Sequence, residues 1–320
     1  MKILVTGGAG FIGSHLVERL LERGDEIVVL DDLNDFYDPA IKKRNMATAT
    51  QHRLFTFVEG DVRDAGVLEQ LAGQDRKFDV IVHLAARAGV RPSLVDPILY
   101  EQVNCLGTLN ILQMAKKRGI KRLVFASSSS VYGHSSTPPF REDTQVTSPM
   151  SPYAATKAAC ELYCSNYHHL YGISCTALRF FTVYGARQRP DLAIHKFTGM
   201  IDRGEPIPFY GDGGSARDYT YYTDIIDGVT AAVDRDLGFE IINLGESRTT
   251  RLSTLVELIE KRLGKRAKLS LQPEQPGDMK VTCADISKAV RLLGYKPTTP
   301  IEAGIERFVA WYRGQASTSR

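Results

Sequence analysis

The stretch KILVTGGAGFIGSHLVERLLERG, residues 2–24, constrains the fold more than any other part of the chain. A short apolar run ends in a glycine-dense turn that opens directly into an amphipathic helix, which is how a βαβ unit begins. Five further apolar runs, EIVVLD, LFTFVEGD, FDVIVHLAA, KRLVFASS and SCTALRFF, are each followed by helix-like sequence. Strands that are nearly continuous in apolar residues are covered on both faces, so the expected fold is α/β, a doubly wound parallel sheet with helices on either side. The rhythm breaks after Phe181, where RGEPIPFYGDGGS and QPEQPGD bring in glycine and proline. Residues 1–181 are therefore expected to form the sheet domain and residues 182–320 a smaller C-terminal region. TDIIDGVTAAVDRD and FEIINLG, about residues 223–245, read as a helix and a strand returning to the first domain.

Charge narrows the function classes. The net charge is only +3 and the basic residues are scattered, so no electrostatic footprint for nucleic acid or an anionic membrane is expected. No apolar run approaches the roughly 20 residues that span a bilayer, and the N-terminus does not resemble a signal peptide. The five cysteines include no CxxC pair, which suits a reducing compartment, and the cytoplasm is the expected location. Cys160 and Cys164 lie one helical turn apart and are expected to be buried small hydrophobes, with no metal site.

The glycine turn indicates the cofactor. Gly8, Gly10 and Gly13 fit GxGxxG, and Gly7, Gly10 and Gly13 fit GxxGxxG, with Phe11 and Ile12 opening the helix. Missing side chains let a pyrophosphate approach the positive helix N-terminus. The second apolar run ends at Asp31, at the spacing where a carboxylate accepts from the adenosine ribose hydroxyls, with Asn34 just beyond. An acid there repels a 2′-phosphate, so NAD is expected over NADP. Asp61 and Val62, and Leu84, Ala85 and Ala86, end the next two strands and should line the same crevice.

The segment SPYAATKAACELYCSNYHHLYG puts Tyr153 and Lys157 at i and i+4 of a helix, on one face. A phenol is a poor base at neutral pH unless neighbouring positive charge favours the phenolate, which a lysine and a nicotinamide can supply. In this order the glycine turn, the serine-ended strand and the YxxxK helix resemble the extended short-chain dehydrogenase/reductases, Rossmann-fold enzymes that act on nucleotide sugars with NAD. The resemblance covers nearly the whole chain. It implies Ser128, 25 residues before Tyr153, as the group that hydrogen-bonds the reacting hydroxyl while Tyr153 takes its proton. Dehydrating members carry an Asp and a Glu in the two positions before VYG, and decarboxylating members usually keep the Glu. Here those positions are Ser129 and Ser130, whose hydroxyls cannot do acid–base work at neutral pH. Epimerisation at sugar carbon 4 is what remains.

LRFFTVYGARQRPDLAIHKF, LDDLNDFYD, AARAGVRPS and QPGDMKVTCAD resemble the UDP-glucuronate 4-epimerase branch of that family. The resemblance implies conversion of UDP-glucuronate to UDP-galacturonate through a 4-keto intermediate, with tightly held NAD. Ser129, Thr182 and Arg189 would meet the sugar and its carboxylate, with Arg187 in reserve, because a guanidinium binds a carboxylate bidentately. By the same resemblance Arg217 would grip the diphosphate and Asp278 the nucleotide ribose; Arg87 and Arg91 would lie near sugar or phosphate, or at the surface. His83 is expected to be a packed core residue. A UDP-glucose/galactose 4-epimerase and a catalytically silent NAD-binding regulator stay open as alternatives. A homodimer is expected, built on the helix carrying Tyr153 and the one around VNCLGTLNILQMAKK.

Overall fold

A computed structural model of the chain describes residues 1–71, 73, 77–134, 137–273 and 279–318. Seven strands form one sheet: β1 (Lys2–Thr6), β2 (Glu26–Asp31), β3 (Phe55–Glu59), β4 (Val80–His83), β5 (Arg122–Ser128), β6 (Ser174–Phe180) and β7 (Phe239–Leu244). Their order is β7-β6-β5-β4-β1-β2-β3, and every neighbouring pair is parallel. The six apolar runs and FEIINLG are the seven strands. Alternate residues go to opposite faces: Ile3, Val5, Ile27 and Val29 pack beneath α1 (Phe11–Glu22), whereas Leu4, Val28, Leu30 and Phe125 meet α2 (Gly107–Arg118) and α3 (Pro152–Tyr171). Burying each of these side chains contributes about 1.5–3 kcal/mol. Strand order reverses between β1 and β4, and this opens a crevice above their carboxyl ends.

A separate apolar core lies in the C-terminal region. Ile194, Phe197 and Ile201 of α4 (Ala193–Arg203) pack with Leu255 and Ile259 of α6 (Leu252–Leu263) and with Phe308 of α7 (Ile301–Thr318). Between α4 and α6 in sequence, α5 (Tyr222–Val233) returns to the sheet and packs on α1, and the chain then runs into β7. All five cysteines are free thiols, with Cys160 and Cys164 fully buried in the core beneath the sheet. Among the described residues, no helix is long and apolar enough to cross a membrane.

Candidate active site

The crevice above β1 and β4 is a cavity floored by the glycine turn. Gly7 has φ +71°, and a Cβ there would lie 2.6 Å from the backbone nitrogen of Ala85. A Cβ on Gly13 would lie 2.2 Å from the Gly7 carbonyl oxygen, so only glycine lets α1 seat this closely on the turn. No side chain caps the helix at Gly10, and its first turn carries no acid, so its amides remain available to an anion. Gly7, Gly10, Phe11, Ile12 and Gly13 line the cavity, as do Asn34, Asp61, Val62 and the β4 end Leu84, Ala85 and Ala86. The residues present therefore fit a dinucleotide, with its pyrophosphate over the turn.

Asp31 also lines the cavity, but much of its carboxylate is already in use. Its oxygens accept from the Ala9 and Leu33 amides, both at 3.0 Å, and burial pushes its pKa up. The neighbouring Asp32 faces the same cavity and accepts from Asn34. Two acids rather than one line this end of the cavity, and a carboxylate at the ribose repels a 2′-phosphate. The sequence reading missed Asp32, together with Phe36, Tyr37 and Lys42 on the same wall; the run DDLNDFYD holds the first three, but nothing in its spacing says which side chains turn inward.

Ser128, Tyr153 and Lys157 line the same cavity. Ser151 caps α3 by accepting from the Ala154 amide, and Pro152 takes the first helical position, so Tyr153 sits in the first turn with Lys157 one turn on. Lys157 is 3% exposed; its ammonium donates to the Ala126 carbonyl at 2.7 Å and lies 4.9 Å from the Phe125 ring centre. Tyr100 meets the Tyr153 ring edge-on at 6.2 Å. Asn104, in a π-helical turn spanning Glu101–Leu106, ties the loop after β4 to α3. It accepts from the Arg87 amide at 2.8 Å and donates to the Arg87 carbonyl and the Thr156 hydroxyl, which itself donates to the Tyr153 carbonyl. Sequence reasoning missed this brace because only the tertiary fold brings its members together.

The serines that end β5 are held in different ways. Ser127 donates to Glu161 of α3, while the Ser128 hydroxyl accepts from the Ser130 amide and donates to the Ser130 hydroxyl. Ser129 begins a 3-10 turn, Ser129–Tyr132, which swings successive side chains around the turn axis. The described residues lining the cavity include Ser127 and Ser128 but neither Ser129 nor Arg187. Arg187, expected in reserve for the carboxylate, has φ +62° and pairs instead with Glu18 of α1 at 2.8 Å. Asp278 lies outside the described residues.

Arg87 and Thr182 line the first cavity, and Thr182 and Arg189 are shared with a second. That second cavity, between the sheet domain and the C-terminal region, contains Arg217 and Arg91, whose guanidinium lies 4.8 Å from the Tyr210 ring centre. Asp61 is paired with Arg63 at 2.6 Å and Asp191 with Arg189 at 2.8 Å. His83 is packed between the hydroxyls of Thr6 and Thr108, and burial drives its pKa down to about 3, which makes it a neutral core residue. Among the described residues no group of three or more His, Cys, Asp or Glu could hold a metal.

A glycine-turn dinucleotide site joined to a Ser-Tyr-Lys set defines a short-chain dehydrogenase/reductase type of enzyme. The family model described as GDP-mannose 4,6 dehydratase matches residues 4–308, and the chain belongs to this family of NAD-dependent epimerases and dehydratases. It is 44% identical over 309 residues to a UDP-glucuronate 4-epimerase of Thermodesulfobacterium geofontis, covering 96% of this chain and 95% of that one. The crystal structure of UDP-glucuronic acid 4-epimerase from Bacillus cereus, in complex with UDP-glucuronic acid and NAD, superposes with a TM-score of 0.93 at 36% identity, over 98% of this chain and all of that one. A UDP-glucose 4-epimerase from Thermotoga maritima superposes at 0.89 with 31% identity, over 99% and 100%.

Proposed function

We propose that this chain is an NAD-dependent isomerase that interconverts UDP-glucuronate and UDP-galacturonate by 4-epimerisation. The observation that carries the reading is one continuous site in which Tyr153, Lys157 and Ser128 share a cavity with Thr182 and Arg189, a cation suited to a sugar carboxylate. The relatives and solved structures named as UDP-glucuronate 4-epimerases support it.

NAD, when bound, takes a hydride from sugar carbon 4 and returns it. Tyr153 accepts the proton of the 4-hydroxyl while Ser128 hydrogen-bonds the same oxygen, and Lys157 stands one helical turn on in the same cavity. The ketone turns within the cavity to present its other face, and Tyr153 gives the proton back. No net redox change results, so the cofactor is retained between turnovers. A 4-keto uronate is a β-keto acid, and it loses carbon dioxide only when the bond to the carboxylate aligns with the ketone's π system. Thr182 and Arg189 suppress this by holding the carboxylate near the ring plane, and the serines before VYG supply no acid. Replacing Arg189 by Ala is expected to raise KM for UDP-glucuronate about 10-fold or more while leaving that for UDP-glucose within about twofold. An unchanged KM for the uronate would remove Arg189 from this role.

The remaining assignments follow from the same reading. Arg217 contacts the diphosphate of the UDP moiety. The protein is a cytoplasmic homodimer: Leu162 on α3 is 70% exposed, and Leu106, Val95 and Ile98, on segments that pack against α3, are exposed as well, apolar surface of the kind a second copy covers. Sedimentation velocity should give twice the chain mass of 35.5 kDa, and Leu162→Arg should return it to the monomer value. A monomer in the unsubstituted protein would end the dimer assignment.

A further inference from the structure

Arg189 is held on two sides. Its Nε and Nη2 donate to the two carboxylate oxygens of Asp191, at 3.0 and 2.8 Å, and its guanidinium lies 5.2 Å from the Phe36 ring centre. Arg87 approaches the same ring at 5.7 Å. No other hydrogen bond holds the Arg189 guanidinium among the described residues, so the edge formed by Nη1 and Nη2 is what remains for a ligand. The Arg189 side chain is only 16% exposed, whereas that of Asp191 is 44% exposed. Arg189 lines both cavities and Asp191 only the second. A cation in this position attracts any anion unless something tempers it.

We propose that Asp191 is a specificity-determining residue, a counter-ion that fixes the plane of Arg189 and sets how strongly the site prefers an acidic sugar. This rests on the uronate reading above. A guanidinium donates to one carboxylate along its Nε edge and to a second along its outer edge. With Asp191 on the first, a sugar carboxylate on the second meets a pair of near-zero net charge and feels the like charge of Asp191 beyond it. Preference for the uronate is then carried mainly by in-plane hydrogen-bond geometry, and attraction for unrelated anions is restrained. Asp191 thus tempers the uronate preference that Arg189 creates.

Asp191→Asn separates charge from geometry, since its amide oxygen still accepts from Nε. Binding of UDP-glucuronate and UDP-glucose is measured by calorimetry in a Tyr153→Phe background, so that turnover does not intrude. Retained NAD and an unchanged melting temperature confirm the fold of each variant. The expected result is about 5-fold or greater tightening for UDP-glucuronate at low salt, a change within about twofold for UDP-glucose, and loss of most of the gain at ~0.5 M salt. Asp191→Ala, which removes the in-plane acceptor too, should tighten the uronate less than Asn does. Unchanged or weakened uronate binding in Asp191→Asn, or parallel shifts for both sugars, would overturn the proposal. If the unsubstituted enzyme epimerises UDP-glucuronate and Asp191→Asn binds it no more tightly, only the role of Asp191 falls. An unsubstituted enzyme that does not turn over UDP-glucuronate removes both.

Discussion

Replacing Tyr153 by Phe is expected to lower kcat by about 10³-fold, within the range that a positioned general acid–base contributes. The substitution removes one oxygen and leaves the ring that Tyr100 meets edge-on. The glycine turn and the acids at the ribose end are untouched, so NAD should copurify at the unsubstituted level. The pairing of outcomes matters because a silent NAD binder would show no turnover to lose. Loss of activity together with loss of NAD would point to a collapsed site and leave the catalytic role of the hydroxyl unsupported.

The second large effect concerns stability. Arg179 on β6 and Glu161 on α3 form a bidentate ion pair at 2.9 and 2.7 Å, with 1% and 3% of each residue exposed. The Arg179 guanidinium also lies 4.6 Å from the Tyr132 ring centre, and the Tyr132 hydroxyl donates to Asn243 at 2.8 Å. Replacing Glu161 by Ala leaves a buried cation without its partner, which costs about 3–5 kcal/mol. In a chain of this size that corresponds to a fall in Tm of about 4–8 °C. Glu161→Leu combined with Arg179→Met should recover most of the loss, because removing both charges also removes the desolvation penalty. A single variant that melts within a degree or two of the unsubstituted protein would show that the pair contributes little. Glu161 also accepts from Ser127 and lies one turn beyond Lys157, so the pair braces the strand end and the helix that meet at the catalytic cavity.

What was legible in the sequence was what depends on local periodicity. The strands could be read because a strand buried on both faces must be apolar throughout, and the glycine turn because the close approach of α1 leaves no room for a Cβ. Tyr153 and Lys157 could be paired because i and i+4 share a helix face. The partners that hold these groups were harder to see, since Asn104 and Thr156, or Phe36 and Arg189, are distant in sequence and meet only in the fold. One signal was available and unused: Arg179 is the one charge in the run SCTALRFF, and a charge inside a doubly covered strand demands a buried partner. Of the two arginines in this stretch, the sequence favoured Arg189 as the carboxylate ligand and held Arg187 in reserve. They separate in space because Arg187, at positive φ, turns to Glu18, while Arg189 turns into the cleft.

The most direct test of the central claim is to incubate the protein as purified with UDP-glucuronate, adding no NAD, and to follow the products by proton NMR. Accumulation of UDP-galacturonate toward equilibrium, with no UDP-pentose, is the predicted result and would establish 4-epimerisation with a retained cofactor. A UDP-pentose product, or turnover confined to neutral UDP-sugars, would contradict it.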